Sequence, residues 1–143
     1  MEKKEKATFA AGCFWGVQKA FDEKRGVLKT TVGYTGGNVK DPSYEEVCLG
    51  KTGHSEAVEI EFNPMQVSYK ELLDIFWSIH DPSKKKKQQY KSAIFFHNEE
   101  QKEEALQSKQ ALEKCGRKIE TEVLPASNFY PAESYHQYYY KKN

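Results

Sequence analysis

No stretch of this 143-residue chain approaches the apolar length needed to cross a membrane. The charged opening Met1-Glu2-Lys3-Lys4-Glu5-Lys6 runs into a short apolar strand rather than a signal-peptide core, so a cytoplasmic protein is expected. Nor is either charge in excess. With 22 Lys and Arg against 21 Asp and Glu, the formal net charge is +1, which excludes the global electrostatic footprint of a nucleic-acid or anionic-membrane binder. Cysteine is scarce as well. Cys13, Cys48 and Cys115 form an odd, widely spaced set that matches neither a secreted disulfide framework nor a zinc site, so reduced thiols and no bound metal are expected. There is no internal repeat, and the only low-complexity segment is the lysine run Lys84–Lys87. The length suits one domain over residues 1–143, large enough for a core without metal or disulfide staples.

What is present centres on Gly12-Cys13-Phe14-Trp15-Gly16. Ala7, Phe9 and Ala11 alternate as in a strand, whereas Phe14, Val17 and Phe21 recur at helical spacing. The period changes at Cys13, which places that thiol at a strand-to-helix turn. There the free N–H groups and the positive end of the helix dipole favour a thiolate, and glycine on either side leaves room for a substrate. Phe14 and Trp15 are placed to wall an apolar pocket beside the sulfur. A small buried cysteine among core aromatics is the bland alternative.

Further along, Leu28, Thr30, Val32 and Tyr34 alternate as a half-buried strand. Ser43-x-x-Glu46 and Ser68-x-x-Glu71 are capping boxes, which predict helices from Tyr44 to Leu49 and from Ser68 onward with Tyr69, Leu72, Leu73, Phe76 and Ile79 on one face. The clearest strand is Glu56-Ala57-Val58-Glu59-Ile60-Glu61-Phe62, where Val58, Ile60 and Phe62 face the core. Glu56 shares their parity. Buried there, its carboxyl would gain a raised pKa and the capacity to donate a proton; if the strand frays, the side chain escapes to water. Ser92–Phe96 reads as an apolar strand, Asn98 to Gly116 as a long helix with Cys115 partly buried, and Ile119–Leu124 as another strand. The aromatic tail Phe129–Tyr140 is expected to pack back on the domain. Strands alternating with helices define an α/β or α+β domain, a sheet covered by helices.

Seven strings carry a family resemblance: Gly12-Cys13-Phe14-Trp15-Gly16, Val32-Gly33-Tyr34-Thr35-Gly36-Gly37, Pro42-Ser43-Tyr44-Glu45-Glu46-Val47-Cys48, Gly53-His54-Ser55-Glu56-Ala57-Val58, Phe76-Trp77-Ser78-Ile79-His80-Asp81-Pro82, Gln89-Tyr90-Lys91-Ser92-Ala93-Ile94 and Pro131-Ala132-Glu133-Ser134-Tyr135-His136-Gln137. In this order they closely resemble the A-class peptide methionine sulfoxide reductases. The resemblance implies a ferredoxin-like two-layer sandwich and reduction of the S epimer of methionine sulfoxide, free or in oxidised proteins under repair. It maps the nucleophile onto Cys13, the acid onto Glu56, the oxygen-binding tyrosines onto Tyr44 and Tyr90, and the methyl cage onto Phe14 and Trp15, with His136 at the substrate site. It also implies a monomer that binds no cofactor and is recycled through a Cys13 sulfenic acid by an external thiol: thioredoxin, glutaredoxin or glutathione, or dithiothreitol in the test tube.

Two features depart from that pattern. The resemblance implies a longer Gly-containing loop with an aspartate near the oxygen site, where this chain has Ser83-Lys84-Lys85-Lys86-Lys87-Gln88 and no acidic residue. Many members also continue into a tail with resolving cysteines, whereas this sequence stops at Asn143. A one-cysteine type or a truncated chain is therefore expected, in which neither Cys48 nor Cys115 resolves the sulfenic acid. Two other readings fit the residue types: a cysteine hydrolase pairing Cys13 with His54 or His136, and a module that binds methionine sulfoxide without turning it over.

Overall fold

The computed structural model describes residues 4–142. The chain runs β1 (Glu5–Ala11), α1 (Phe14–Asp22), β2 (Val27–Thr35), α2 (Tyr44–Cys48), β3 (Ser55–Phe62), α3 (Tyr69–Ser78), β4 (Ser92–Phe96), α4 (Glu99–Lys114), β5 (Glu122–Pro125), β6 (Tyr130–Pro131) and α5 (Tyr139–Lys142). Single 3-10 turns at Gln88–Tyr90 and Ser134–His136 complete it.

The sheet order is β5-β4-β1-β3-β2-β6. Its inner four strands, β4-β1-β3-β2, are antiparallel to their neighbours, and β1-α1-β2 and β3-α3-β4 each skip one strand. This is the split βαβ arrangement of a ferredoxin-like sandwich. β5 adds in parallel beside β4 and β6 antiparallel beside β2, so the sheet is mixed.

Alternation decides the two faces. Phe9, Val58, Ile60, Phe62, Val32 and Ile94 pack with Phe14, Val17 and Phe21 of α1 and with Leu72, Leu73 and Phe76 of α3. Stacking of Phe9 on Phe21 and on Phe76, both at 5.2 Å between ring centres, joins both helices to β1. The opposite face carries a smaller apolar cluster of Ala10, Ala57, Ala93 and Phe95, closed by Leu124, Ala126 and Phe129. Both faces of β1 are therefore covered, and Thr8 and Ala10 are as buried as Phe9.

Both capping boxes are present, with Ser43 accepting from the Glu46 N–H and Ser68 from the Glu71 N–H. Three sequence expectations need correction. Leu28 is exposed, because β2 shifts register between Val27 and Lys29 and turns it out of the row that Thr30, Val32 and Tyr34 keep. The strand expected over 119–124 begins only at Glu122, although Ile119 is buried. Cys115 is exposed rather than partly buried, because it caps α4 beyond the turns where Gln101 and Ala105 meet the core.

The tail folds back as expected. The Gln137 amide pairs with both the N–H and the carbonyl of Val32 (3.0 and 2.9 Å), standing in for a strand at the β2 edge. Beside it, Gly33 admits the Tyr130 carbonyl and the Phe129 ring, both of which a Cβ would strike.

Candidate active site

β1 ends at Ala11, and Gly12 turns the chain with φ +91°, a conformation that favours glycine, before Cys13 opens α1. A Cβ on Gly12 would meet nothing within 4 Å, so the space beside the thiol is open. Cys13 is exposed, and the Trp15 and Gly16 N–H groups at the helix start favour its thiolate. Yet the loss of hydration around the sulfur outweighs them, and the charge of Glu56 adds to it, so the Cys13 pKa is raised. The helix terminus thus favours the thiolate as expected, but partial burial and Glu56 act against it.

Glu56 is 1% exposed, so strand parity rather than fraying holds at the start of β3. Its Oε1 accepts the Phe14 N–H at 3.2 Å and its Oε2 accepts the Gln89 side-chain amide at 2.7 Å. Burial raises the carboxyl above the ordinary range, while the Gln89 and Phe14 donors and the Lys87 charge pull it partway back. A carboxyl that holds its proton more tightly than usual thus lies one hydrogen bond from the backbone of the residue after Cys13.

Tyr44 opens α2, and Tyr90 ends the 3-10 turn that carries Gln89. Their hydroxyls lie near one another and near the Cys48 sulfur. Burial first, with nearby Cys48 and Glu56, raises both phenols, so both remain protonated donors at neutral pH. Tyr44 is fixed from the tail: Glu133 accepts its N–H at 3.1 Å and the Tyr34 hydroxyl at 2.8 Å.

The aromatic wall forms around His136, which is buried, with ring centres 4.5 Å from Tyr44, 5.2 Å from Phe14 and 5.6 Å from Trp15. The Trp15 indole donates to His136 Nδ1 at 3.0 Å, and an indole N–H only donates, so the ring proton of neutral His136 is on Nε2. Trp15 also stacks on Tyr139 at 3.8 Å.

The structure therefore gathers Cys13, Phe14, Trp15, Tyr44, Glu56, Tyr90 and His136 at one end of the sheet. Sequence reasoning passed over Gln89 and Glu133, although both stand inside strings already singled out. It also treated Cys48 apart from the site, whereas its sulfur accepts the Gln89 amide at 3.2 Å. His54 serves the fold: Nδ1 accepts the Gly37 N–H at 3.0 Å and Nε2 lies 2.7 Å from the Val39 carbonyl, leaving no ring nitrogen as a base for Cys13. Among the described residues no group of three or more His, Cys, Asp and Glu is arranged to hold a metal ion.

An exposed thiol and a buried carboxyl of raised pKa beside an aromatic cleft, on a ferredoxin-like sheet, make a site suited to sulfur chemistry coupled to proton donation. The family model for peptide methionine sulfoxide reductase matches residues 5–143. The methionine sulfoxide reductase MsrA of Methanosarcina acetivorans is 56% identical over 147 residues, covering 96% of this chain and 78% of that one. The crystal structure of reduced Mxr1 from Saccharomyces cerevisiae superposes with a TM-score of 0.91 at 34% identity, over 99% of this chain and 86% of the other. The structure of Mxr1 in complex with Trx2 superposes with 0.70 at 26% identity, over 96% and 85%.

The chain belongs to the peptide methionine sulfoxide reductase family, and it is an oxidoreductase that uses thiols to reduce methionine sulfoxide. Neither the hydrolase nor the non-catalytic module is favoured.

Proposed function

We propose that residues 1–143 act as one monomeric, cytoplasmic catalytic domain that reduces the S epimer of methionine sulfoxide, with Cys13 as nucleophile and Glu56 as acid. The observation that carries this reading is the buried Glu56 carboxyl, tied through Phe14 N–H to the start of the helix that presents the thiol. Sulfoxide sulfur is electrophilic only when the charge on its oxygen is neutralised. Tyr44 and Tyr90 donate hydrogen bonds to that oxygen where water is scarce, and Glu56 supplies the proton. Phe14 and Trp15 hold the S-methyl group, and His136 keeps the Trp15 indole in place.

The electron count closes simply. The Cys13 sulfur gives two electrons to the substrate sulfur, the S–O bond breaks, methionine leaves and the oxygen ends on Cys13 as a sulfenic acid. Two thiol equivalents then return Cys13 to the thiol and release water. A thioredoxin-type protein is the proposed donor, a reading supported by the likeness to Mxr1, which was solved with Trx2. The test is reduction of the separated sulfoxide epimers with dithiothreitol. Turnover of the S form by wild type and none by Cys13→Ser is expected; equal turnover of both epimers would overturn the assignment.

A further inference from the structure

Of the lysine run only Lys87 enters the chemistry described above, through its charge near Glu56, but the anchoring of the loop brings the whole run to the reaction site. The Pro82 carbonyl accepts the Glu120 N–H at 2.7 Å at the start of the loop. At its end, the Ser55 hydroxyl donates to the Gln88 carbonyl at 2.5 Å and the Gln88 amide donates to the Gly53 carbonyl at 2.8 Å. The second anchor is thus the residue preceding Glu56. Lys87 Nζ stands 5.2 Å from the centre of the Tyr90 ring, one of the two tyrosines assigned to the sulfoxide oxygen.

Behind Lys87, a cleft of about 360 Å³ is lined by Lys84, Lys85, Lys86, Lys91, Glu120 and Glu122 among others. Its acidic side chains are already matched: Glu122 pairs with Lys91 at 3.2 Å and Glu120 with Lys118 at 3.1 Å. Lys84, Lys85 and Lys86 enter no ion pair among the described residues, so the cleft keeps a surplus of positive charge although the chain is nearly neutral. Ser92, also on its wall, pairs with Ala11, two residues before Cys13. Cleft and thiol therefore share one end of the sheet. A cleft carrying one sign of charge concentrates its field and draws in groups of the opposite sign.

We propose that this cleft receives the carboxylates flanking an oxidised methionine, so that the enzyme selects methionine sulfoxide in Asp- and Glu-rich segments of its protein substrates. The proposal rests on the reductase reading of the same site. An incoming acidic peptide relieves the repulsion among the unpaired ammonium groups and is steered toward Cys13 as it docks. Rim charges of this kind act chiefly on association and are weakened by salt.

The test uses three peptides of one length, with methionine sulfoxide flanked by Glu, Gln or Lys, and the uncharged N-acetyl methionine sulfoxide amide. Second-order rate constants are measured in a single turnover, before any reductant is added. The Glu peptide is expected to react about tenfold faster than the Lys peptide at low salt, an advantage that shrinks as salt rises. The triple variant Lys84→Ser/Lys85→Ser/Lys86→Ser should remove the difference and leave the Gln peptide and the amide unchanged. Equal rates for the wild type at low salt would overturn the proposal, as would a variant that slows every substrate alike. Charge dependence confined to recycling by an acidic thiol protein would also overturn it. Failure of the wild type to reduce even the uncharged amide would instead overturn the reductase reading.

Discussion

Gln89 donates its side-chain amide to Glu56 at 2.7 Å, and both side chains are sealed from solvent. The same amide reaches Cys48 at 3.2 Å, so both of its N–H donors are engaged and the side chain cannot swing away without losing two partners. With the Phe14 N–H on the other oxygen, Gln89 fixes the plane of the carboxyl. It also opposes the burial that raises the Glu56 pKa. Gln89→Ala should therefore slow the first reductive step by about tenfold, a smaller loss than removal of the acid itself. The Glu56 limb of the pH profile should move to higher pH. An unmoved profile would make Gln89 a packing residue only.

Cys13→Ser should abolish sulfoxide reduction and leave the fold intact. A serine hydroxyl stays protonated at neutral pH and is a weak nucleophile without an activating base, and His54 has both ring nitrogens committed to the loop around Gly37. Circular dichroism should overlay the wild type while the single-turnover rate falls to background. Measurable methionine formation by this variant would refute the role of Cys13.

Glu56→Gln bears on rate, thiol and stability together. Loss of the acid should cost about 10²–10⁴-fold in the reductive step. Because the Glu56 charge helps to raise the Cys13 pKa, its removal should shift iodoacetamide alkylation of Cys13 to lower pH, although burial of the sulfur still holds the thiol up. The folded-state pKa of Glu56 lies above its unfolded value, so its contribution to stability is present below the unfolded pKa and lost as pH rises through the folded one. The variant should thus melt higher than wild type at neutral pH, and the gap should close on acidification. A lower melting temperature at neutral pH would contradict the burial cost assigned to this carboxyl.

Much of this site was legible in the chain because its rules are local. The change of period at Cys13, the two capping boxes and the parity of Glu56 are each read from one short continuous stretch of chain, and the structure keeps all of them. Gln89 was not legible in the same way. Its meaning comes from a 3-10 turn docked across the start of β3, a contact between residues 33 positions apart. Glu133 reaches Tyr34 over 99 positions. The upward pull on the Cys13 pKa escaped notice for a related reason: a helix terminus can be inferred from spacing, but the desolvation that opposes it depends on what the tertiary fold brings around the sulfur. Leu28 and Cys115 were misplaced where a register shift and a helix end broke the period that a pattern extends.

The stack of Trp15 on Tyr139, with ring planes 8° apart, ties the cleft wall to the folded-back tail. Tyr139→Ala should lower stability by about 0.5–1.5 kcal/mol and raise KM more than it lowers kcat, since it frees the wall and leaves Cys13 and Glu56 in place. Tyr139→Phe, which keeps the ring, should bring KM back toward the wild-type value. Unchanged KM with an unchanged melting curve would show that the stack contributes nothing to the site.

Recycling depends on where the other thiols stand. Cys48 ends α2, a five-residue helix fixed by the Ser43–Glu46 capping box, and its sulfur accepts a hydrogen bond from Gln89. Cys115 is the C-cap of α4. Resolving a sulfenic acid needs a thiol free to approach it, and disulfide closure brings Cα atoms to within about 7 Å. The Cys115 N–H is bonded to the Ala111 and Leu112 carbonyls and Cys48 closes a capped helix, so an external thiol is expected to meet the oxidised Cys13 first. Cys48→Ser/Cys115→Ser should then turn over with dithiothreitol at a rate within about twofold of wild type, since serine retains an acceptor for Gln89. One equivalent of methionine sulfoxide should leave a sulfenic acid on Cys13 that dimedone traps. A Cys13–Cys48 disulfide after a single turnover, found by mass spectrometry, would show instead that α2 opens on oxidation and carries its own resolving thiol.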